Sequence, residues 1–261
     1  MLKPAISSLL SGLFLTGALF GAAGLPDAAE QQRMLERVRQ YAGRYLDNLP
    51  NFVCARVTQQ FEAGKKPKNW KQRDTLTSRL IFNQGKENQT LELVNGKPIS
   101  PFRFVSRPLE TEGEFGILVS NVLDSNAYAQ ISWNGWEDLR GHRLAVFEYL
   151  IDEKHSTLSL GLGGIATMVP YRGLIYADAE SGEVWRITNE PFNIPSSLDT
   201  KSIATTIDYG SVDIAGRHFI LPVTASILLD TGQRNILNKV AFNEYRKFEA
   251  ESKITFVSGS N

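Results

Sequence analysis

The sequence predicts a mostly β, α+β fold: a large curved antiparallel sheet of about ten or eleven strands, with one N-terminal amphipathic helix packed on it. Three observations carry this. Helical apolar spacing is sustained only once, between Asp27 and Pro50. After Pro50 the apolar period drops to two. Short turns containing glycine then separate successive runs, which favours antiparallel neighbours, because a parallel crossover needs about a dozen residues or more.

Asp27 opens the helix. Asp27 and Glu30 have the N-cap and N3 spacing of a capping box, with Asp in place of the usual Ser or Thr. Met34, Leu35, Val38, Tyr41, Ala42, Tyr45, Leu46 and Leu49 fall on one face. Arg33, Glu36, Arg37, Arg39, Gln40 and Arg44 take the others, and Pro50 closes the run. Such a stripe must be buried against something.

In the first strand Val53, Ala55, Val57, Gln59 and Phe61 share a face. Leu76, Leu80 and Phe82 mark the second, and Leu91 and Leu93 the third, with turns at Gln84-Gly85-Lys86 and Asn95-Gly96-Lys97. Glu112 to Ala127 interrupts the series. The spacing of Phe115, Leu118, Val119, Val122 and Leu123 predicts a short helix or two turns there. The strand from Arg143 to Asp152 is apolar on both faces, so it is covered on both sides or lines a cavity on one. In "YRGLIYADAESGEVWRIT", Tyr171 to Thr188, the residues Asp178 to Gly182 reverse one strand into the next. Ile207 and Tyr209 alternate, and Val212 and Ile214 do so out of phase, which predicts a bulge at Gly210. "HFILPVTASILL" follows the turn at Ala215-Gly216-Arg217. Ile236, Val240 and Phe242 follow Asp230-Thr231-Gly232, and Ile254 and Phe256 end the series. Strands and helices do not alternate, which excludes a doubly wound sheet.

Residues 1–24 read as a signal peptide. Lys3 starts a run that is uncharged from Ala5 to Leu25, and the small Gly21, Ala22, Ala23 and Gly24 place cleavage after Ala23 or Gly24. A retained signal anchor is the rival reading, since about 20 uncharged residues span a bilayer. No Cys lies near the cleavage site to take a lipid. Residues 25–261 then form one domain, periplasmic or secreted and peripheral to the membrane at most. Its one cysteine, Cys54, has no internal disulfide partner and reads as a small buried strand residue.

Lys plus Arg and Asp plus Glu balance at 28 each, so nothing marks the chain for nucleic acid. The basic cluster Lys65, Lys66, Lys68, Lys71 and Arg73 around Trp70 reads as an exposed hairpin tip. "GLGGIA", Gly161 to Ala166, matches a dinucleotide fingerprint in letters only. The fingerprint requires a helix to start inside it, and Pro170 and then a strand follow instead. His142, His155 and His218 are isolated, with no partner at metal-ligand spacing. No G-x-S-x-G elbow marks a nucleophile, and Asp178 and Glu180 read as solvating their turn. No catalytic residue, cofactor or metal is expected. The stretch "LSLGLGGIATMVP" is unusual for a connector, because Leu158, Leu160, Leu162, Ile165, Met168 and Val169 place much apolar surface in a glycine-rich loop. These six are the candidate ligand-binding residues, as an apolar lid.

"GLIYADAESGEVWRIT", "IDYGSVDIAGRHFILP" and "VAFNEYRKFEAESKITF" together resemble the second half of the LolA-like group, which takes in the lipoprotein carrier, LppX and RseB. The shared pattern is a strand ending in Asp178, a turn through Ser181-Gly182, and a return through Val184-x-Arg186, within roughly Tyr171 to Phe256. "LPNFVCARVTQQF" and "GEFG" also resemble a family of exported bacterial proteins of unknown function. The LolA-like resemblance implies a half-barrel of about eleven antiparallel strands with helices over its concave side. It also implies an exported, non-enzymatic binding protein, with a lipid or lipidated protein as ligand. The alternative is an envelope protein–protein interaction or sensor module whose half-barrel is filled by its own side chains.

Overall fold

The computed structural model describes residues 25–99, 115–124, 128–162 and 165–248. The signal peptide with Ala23 and Gly24, the flanks of the Glu112–Ala127 segment, and Ile254 and Phe256 lie outside these residues. Of Leu162 and Ile165 only the backbone is described.

Helix α1 (Ala28–Asn48) begins as the capping pattern predicts: Asp27 Oδ1 accepts the Glu30 backbone N–H at 2.7 Å. It ends at Leu49, whose extended backbone suits a residue before proline. Met34, Leu35, Val38, Ala42 and Tyr45 form its buried stripe. A second helix, α2 (Ile117–Leu123), lies in the interrupting segment.

The strands are β1 (Phe52–Gly64), β2 (Lys71–Asn83), β3 (Lys86–Val94), β4 (Lys97–Pro98), β5 (Gln130–Leu139), β6 (His142–Ile151), β7 (Ser159–Leu162), β8 (Ile165–Met168), β9 (Tyr171–Ala177), β10 (Val184–Pro191), β11 (Ser202–Ile214), β12 (Arg217–Asp230) and β13 (Arg234–Lys247). Eleven of them form one open antiparallel sheet, in the order β4-β3-β2-β1-β13-β12-β11-β10-β9-β6-β5. Among the described residues β7 and β8 pair only with each other. Four of the hairpin turns, Gln84-Gly85, Asn95-Gly96, Arg140-Gly141 and Ala215-Gly216, have positive φ at both residues. That is the type I′ geometry whose twist matches the strands it joins, and glycine takes its second position at no steric cost.

The sheet curves around the two helices. Phe82 of β2 and Phe147 of β6, far apart in strand order, belong to one core with Val38 of α1 and Val119 of α2. β6 is buried on both faces, as its sequence predicts. Ala145, Phe147, Tyr149 and Ile151 enter the main core, while Leu144 and Val146 pack with Tyr176 in a small cluster on the convex side.

Two expectations change. The expected bulge at Gly210 of β11 is instead an extra residue in β12: the register shifts between Asp208 and Tyr209, which face Thr224 and Pro222, leaving Val223 between them beside a proline that offers no backbone N–H to the ladder. In β1 the apolar set Val53, Ala55, Val57 and Phe61 lies on the convex, half-buried side. The buried side is Phe52, Cys54, Arg56, Thr58 and Gln60. The strand's more apolar face was the misleading one, because the concave side of β1 turns polar halfway along.

Candidate functional site

One end of the sheet carries the Arg140-Gly141, Asp178–Gly182 and Ala215-Gly216 turns, and both helices dock there. Arg37 Nε of α1 donates to the Ala179 carbonyl at 2.8 Å. Gly182 (φ +78) sits so close beneath the helix that a Cβ would stand 2.4 Å from the Arg37 carbonyl oxygen. Tyr45 donates its hydroxyl to the Ile220 carbonyl at 2.8 Å, and its ring meets Tyr209 edge-on. Phe115, just before α2, lies 5.2 Å from Phe52, which stacks on Phe82 at 5.1 Å. This half of the concave face is filled by aliphatic and aromatic side chains, and Cys54 is buried in it.

Strand register shows a different pattern further along. One row runs Phe147–Ile175–Ile187–Ile207–Ala225–Val240 across β6, β9, β10, β11, β12 and β13 and meets Thr58 on β1. The next row reads Asn189–Thr205–Ile227–Asn238–Gln60. The row after that includes Ile203–Leu229–Ile236 and Ile151–Tyr171. A polar row thus crosses the concave face between two apolar ones. Its carboxamides are buried: Asn189 is 7%, Gln60 6% and Asn238 2% exposed.

Tyr149 extends the row onto β6. Its hydroxyl lies 2.7 Å from the Thr188 carbonyl oxygen, to which it donates, and 3.4 Å from Asn189 Oδ1. Burial, then the neighbouring tyrosines, push this phenol well above its ordinary range, so it remains a donor. Gly173, its partner on β9, leaves room for the ring: a Cβ there would fall 2.0 Å from the Thr188 carbonyl oxygen. On β1 and β2 the polar zone widens. Arg56, itself buried, donates from Nη1 to Thr58 Oγ1 at 3.2 Å, and Gln89 Nε2 donates to Ser78 Oγ at 3.1 Å.

Beyond the polar row, Ala63, Leu198, Leu229 and Ile236 are buried yet belong to neither hydrophobic cluster, and the same holds for Leu76 and Val94, which continue the row of Thr58 onto β2 and β3. The candidate lid lies at this same end, between β6 and β9. Read as a glycine-rich loop, it is in fact a hairpin, β7–β8, with Leu162 opposite Ile165. Its base is fixed by Val169 N–H to the Leu158 carbonyl (3.0 Å) and Ser156 Oγ to the Val169 carbonyl (2.6 Å). Val169 is 1% exposed and Leu158 packs on the main core, so these two anchor the hairpin. Leu160 is half-buried, and Met168 is 50% exposed.

The remaining polar residues of the sequence reading are scattered. Asp178 Oδ1 accepts from the backbone of Glu180 and Ser181 and from the Ser181 hydroxyl, closing the β9–β10 turn. His142 stacks on Trp185, His155 pairs with Asp152, and His218 is exposed. Among the described residues no group of three or more His, Cys, Asp or Glu could hold a metal ion. No described helix is long and apolar enough to cross a membrane.

The polar row was missed in the sequence because each member stands alone among apolar neighbours, as in "RITNEP" and "ILNKV". Only cross-strand register aligns them. The available signal was the even-numbered run Arg56, Thr58, Gln60, polar on a strand whose other face is apolar.

No family model matches the chain, and no curated protein matches it. Among solved structures the chain is similar to a LolA superfamily protein from Nitrosomonas europaea, at 11% identity and TM-score 0.43, over 86% of this chain and 96% of that one. It is similar to a DUF1329 family protein from Desulfovibrio piger, at 11% identity and TM-score 0.43, over 88% and 96%. It is also similar to an outer membrane lipoprotein-sorting protein domain from Vibrio parahaemolyticus, at 11% identity and TM-score 0.42, over 85% and 95%.

Proposed function

We propose that the chain is an exported, non-enzymatic binding protein whose half-barrel takes an apolar or lipidated ligand on its concave face, away from the helices. The observation that carries this is the second apolar zone. Leu229 and Ile236 are buried outside the packed core, on the far side of a polar row from both helices. An acyl chain buried there gains about 0.8 kcal/mol per CH₂, so few polar contacts are needed to hold it. The half-exposed Met168 and the hairpin bearing Leu160 stand at the same end, at the mouth of such a seat. The LolA superfamily protein and the lipoprotein-sorting domain to which the chain is similar agree with this reading in name.

Residues 1–24 are read with this proposal as the export signal. N-terminal sequencing of the envelope fraction is expected to find Gly24 or Leu25 first, and a chain still starting at Met1 would favour an anchored protein. Native mass spectrometry and lipid extraction of the purified protein test the ligand directly. Co-purified acyl lipid, and a rise in unfolding temperature on adding long-chain fatty acid or phospholipid, are expected.

One observation favours a second reading. The helix end of the concave face is filled by the chain's own side chains. If no lipid is carried and none stabilises the fold, the chain is an envelope interaction module with a self-filled core.

A further inference from the structure

The basic stretch around Trp70 has no part in the binding reading. It joins β1 to β2, where Lys65, Lys66, Lys68, Lys71 and Arg73 are all exposed and Trp70 is half-buried. Glu62 to Asp74 holds five basic residues and two acidic ones, a net of +3 in a chain whose total is zero. Arg73, at 2.9 Å, and Arg234, at 3.7 Å, already hold Glu62. Among the described residues no carboxylate pairs with any of the four lysines. The β1–β2 turn lies at the hairpin end of the sheet, where β6 hands over to β9 and β12 to β13. That end also carries three of the four large apolar side chains that the described residues expose. They are Tyr128, 70% exposed, ahead of β5; Met168, in the β7–β8 hairpin; and Leu228, two residues before the end of β12. The acidic turn with Asp178, Glu180 and Glu183 stands at the other end. A strand of 13 residues such as β1 spans about 40 Å, and salt screens charge within about 8 Å. Each end therefore meets its surroundings with its own charge.

We propose that the hairpin end of the half-barrel docks on an anionic lipid surface, with the β1–β2 turn supplying the charge and Tyr128, Met168 and Leu228 the apolar contact. This goes beyond the binding reading and needs no ligand in the concavity. The lysines alone would suit any polyanion. Exposed apolar side chains at the same end suit a surface in which hydrocarbon lies beneath phosphate. A lysine stem lies along apolar surface while its ammonium reaches a headgroup, and Tyr and Trp rings favour headgroup depth. Each lysine near such a surface strengthens binding about fivefold. Lys65, Lys66 and Lys68 spend none of their charge on carboxylates of the described fold, so all of it is available to a partner.

The test is flotation of the full mature chain with vesicles of phosphatidylcholine alone, or of phosphatidylcholine with an equal share of phosphatidylglycerol. Binding to the anionic vesicles is expected to be at least about tenfold tighter at roughly 0.05 M salt, and to fall steeply by roughly 0.5 M. Lys65→Gln with Lys66→Gln and Lys68→Gln is expected to lose about tenfold or more of that binding, with the unfolding temperature unchanged. A matched variant outside this end, Arg33→Gln with Lys86→Gln and Arg217→Gln, is expected to bind as the unaltered chain does. Equal binding to both kinds of vesicle, binding to neither, or full binding by the triple lysine variant would each overturn the proposal. A DNA duplex held as tightly as the anionic vesicles would overturn it in favour of a general polyanion site. Acyl lipid found in the concavity of a chain that does not float would overturn the docking and leave the carrier reading standing. Flotation without lipid uptake would do the reverse. The comparison of vesicles and salt needs no variant, so a variant that fails to fold does not shield the proposal.

Discussion

The two ends of the concave face solve the same problem differently. At the helix end, α1 and α2 bring their own apolar side chains to the sheet, and strands from β2 across to β5 contribute aliphatic or aromatic partners. At the hairpin end, Leu229 and Ile236 are buried apart from that core, behind a row that carries three carboxamides. The difference teaches that curvature and helix packing account for half of the molecule. The composition of the other half is set by something a packed core does not require.

Phe52→Ala should give the largest effect and belongs to the helix end. Its ring contacts Phe82, Phe115 and Tyr245, so truncation should cost about 3–5 kcal/mol in chemical denaturation. Leu229→Ala, at the hairpin end, is expected to cost less than about 2 kcal/mol without ligand and to diminish the lipid-dependent rise in unfolding temperature. Equal losses at the two positions would erase the distinction between the halves.

Gly182→Ala should come next. Its positive φ and its approach to the Arg37 and Val38 backbone leave no room for a methyl group. Strain of about 2 kcal/mol, with early proteolytic release of α1, is expected. Replacing Leu160, Leu162 and Ile165 together with Ser should change the unliganded protein by less than about 1 kcal/mol and reduce stabilisation by fatty acid. A variant that melts far earlier without lipid would make the hairpin part of the core.

The smallest effect is electrostatic. Burial tends to raise the Asp178 carboxyl, but the hydrogen bonds from Ser181 and Glu180 outweigh it and hold it below its ordinary range. A folded value below the unfolded one, about 3.9, means the turn's contribution is whole above that pH and is lost as pH falls through the folded value. Glu183 opposes this: burial, then the Asp178 charge, push it up, so its contribution is lost as pH rises. In Asp178→Asn the acid-side loss should shrink, read as a flatter unfolding temperature between roughly pH 5 and pH 3.

Much of the architecture is legible in the sequence because it depends on local rules. The Asp27 cap, the glycine turns and the double-faced apolar run of β6 each state their structure within a few residues. The β7–β8 hairpin was hidden because its turn offers glycine flexibility and no polar turn residue, which reads as a loop. The polar row was hidden for a deeper reason. Asn189, Thr205, Ile227, Asn238 and Gln60 line up only through the pairing of five strands, and a bulge in any one of them would dissolve the row.

The pairing of β1 with β13 sets an order of assembly. Phe52 faces Lys247 and Gly64 faces Arg234, so the seam of the sheet joins the first strand to the last. Every other pairing in the sheet links strands much closer along the chain. Two meanders, β4 to β1 and β13 to β5, can zip up early from their short turns, whereas the seam waits for the whole chain and the slow encounter of its distant ends. A chain stopped after Asp230 would present the entire length of β1 as an open edge, and self-association would take the place of the missing strand.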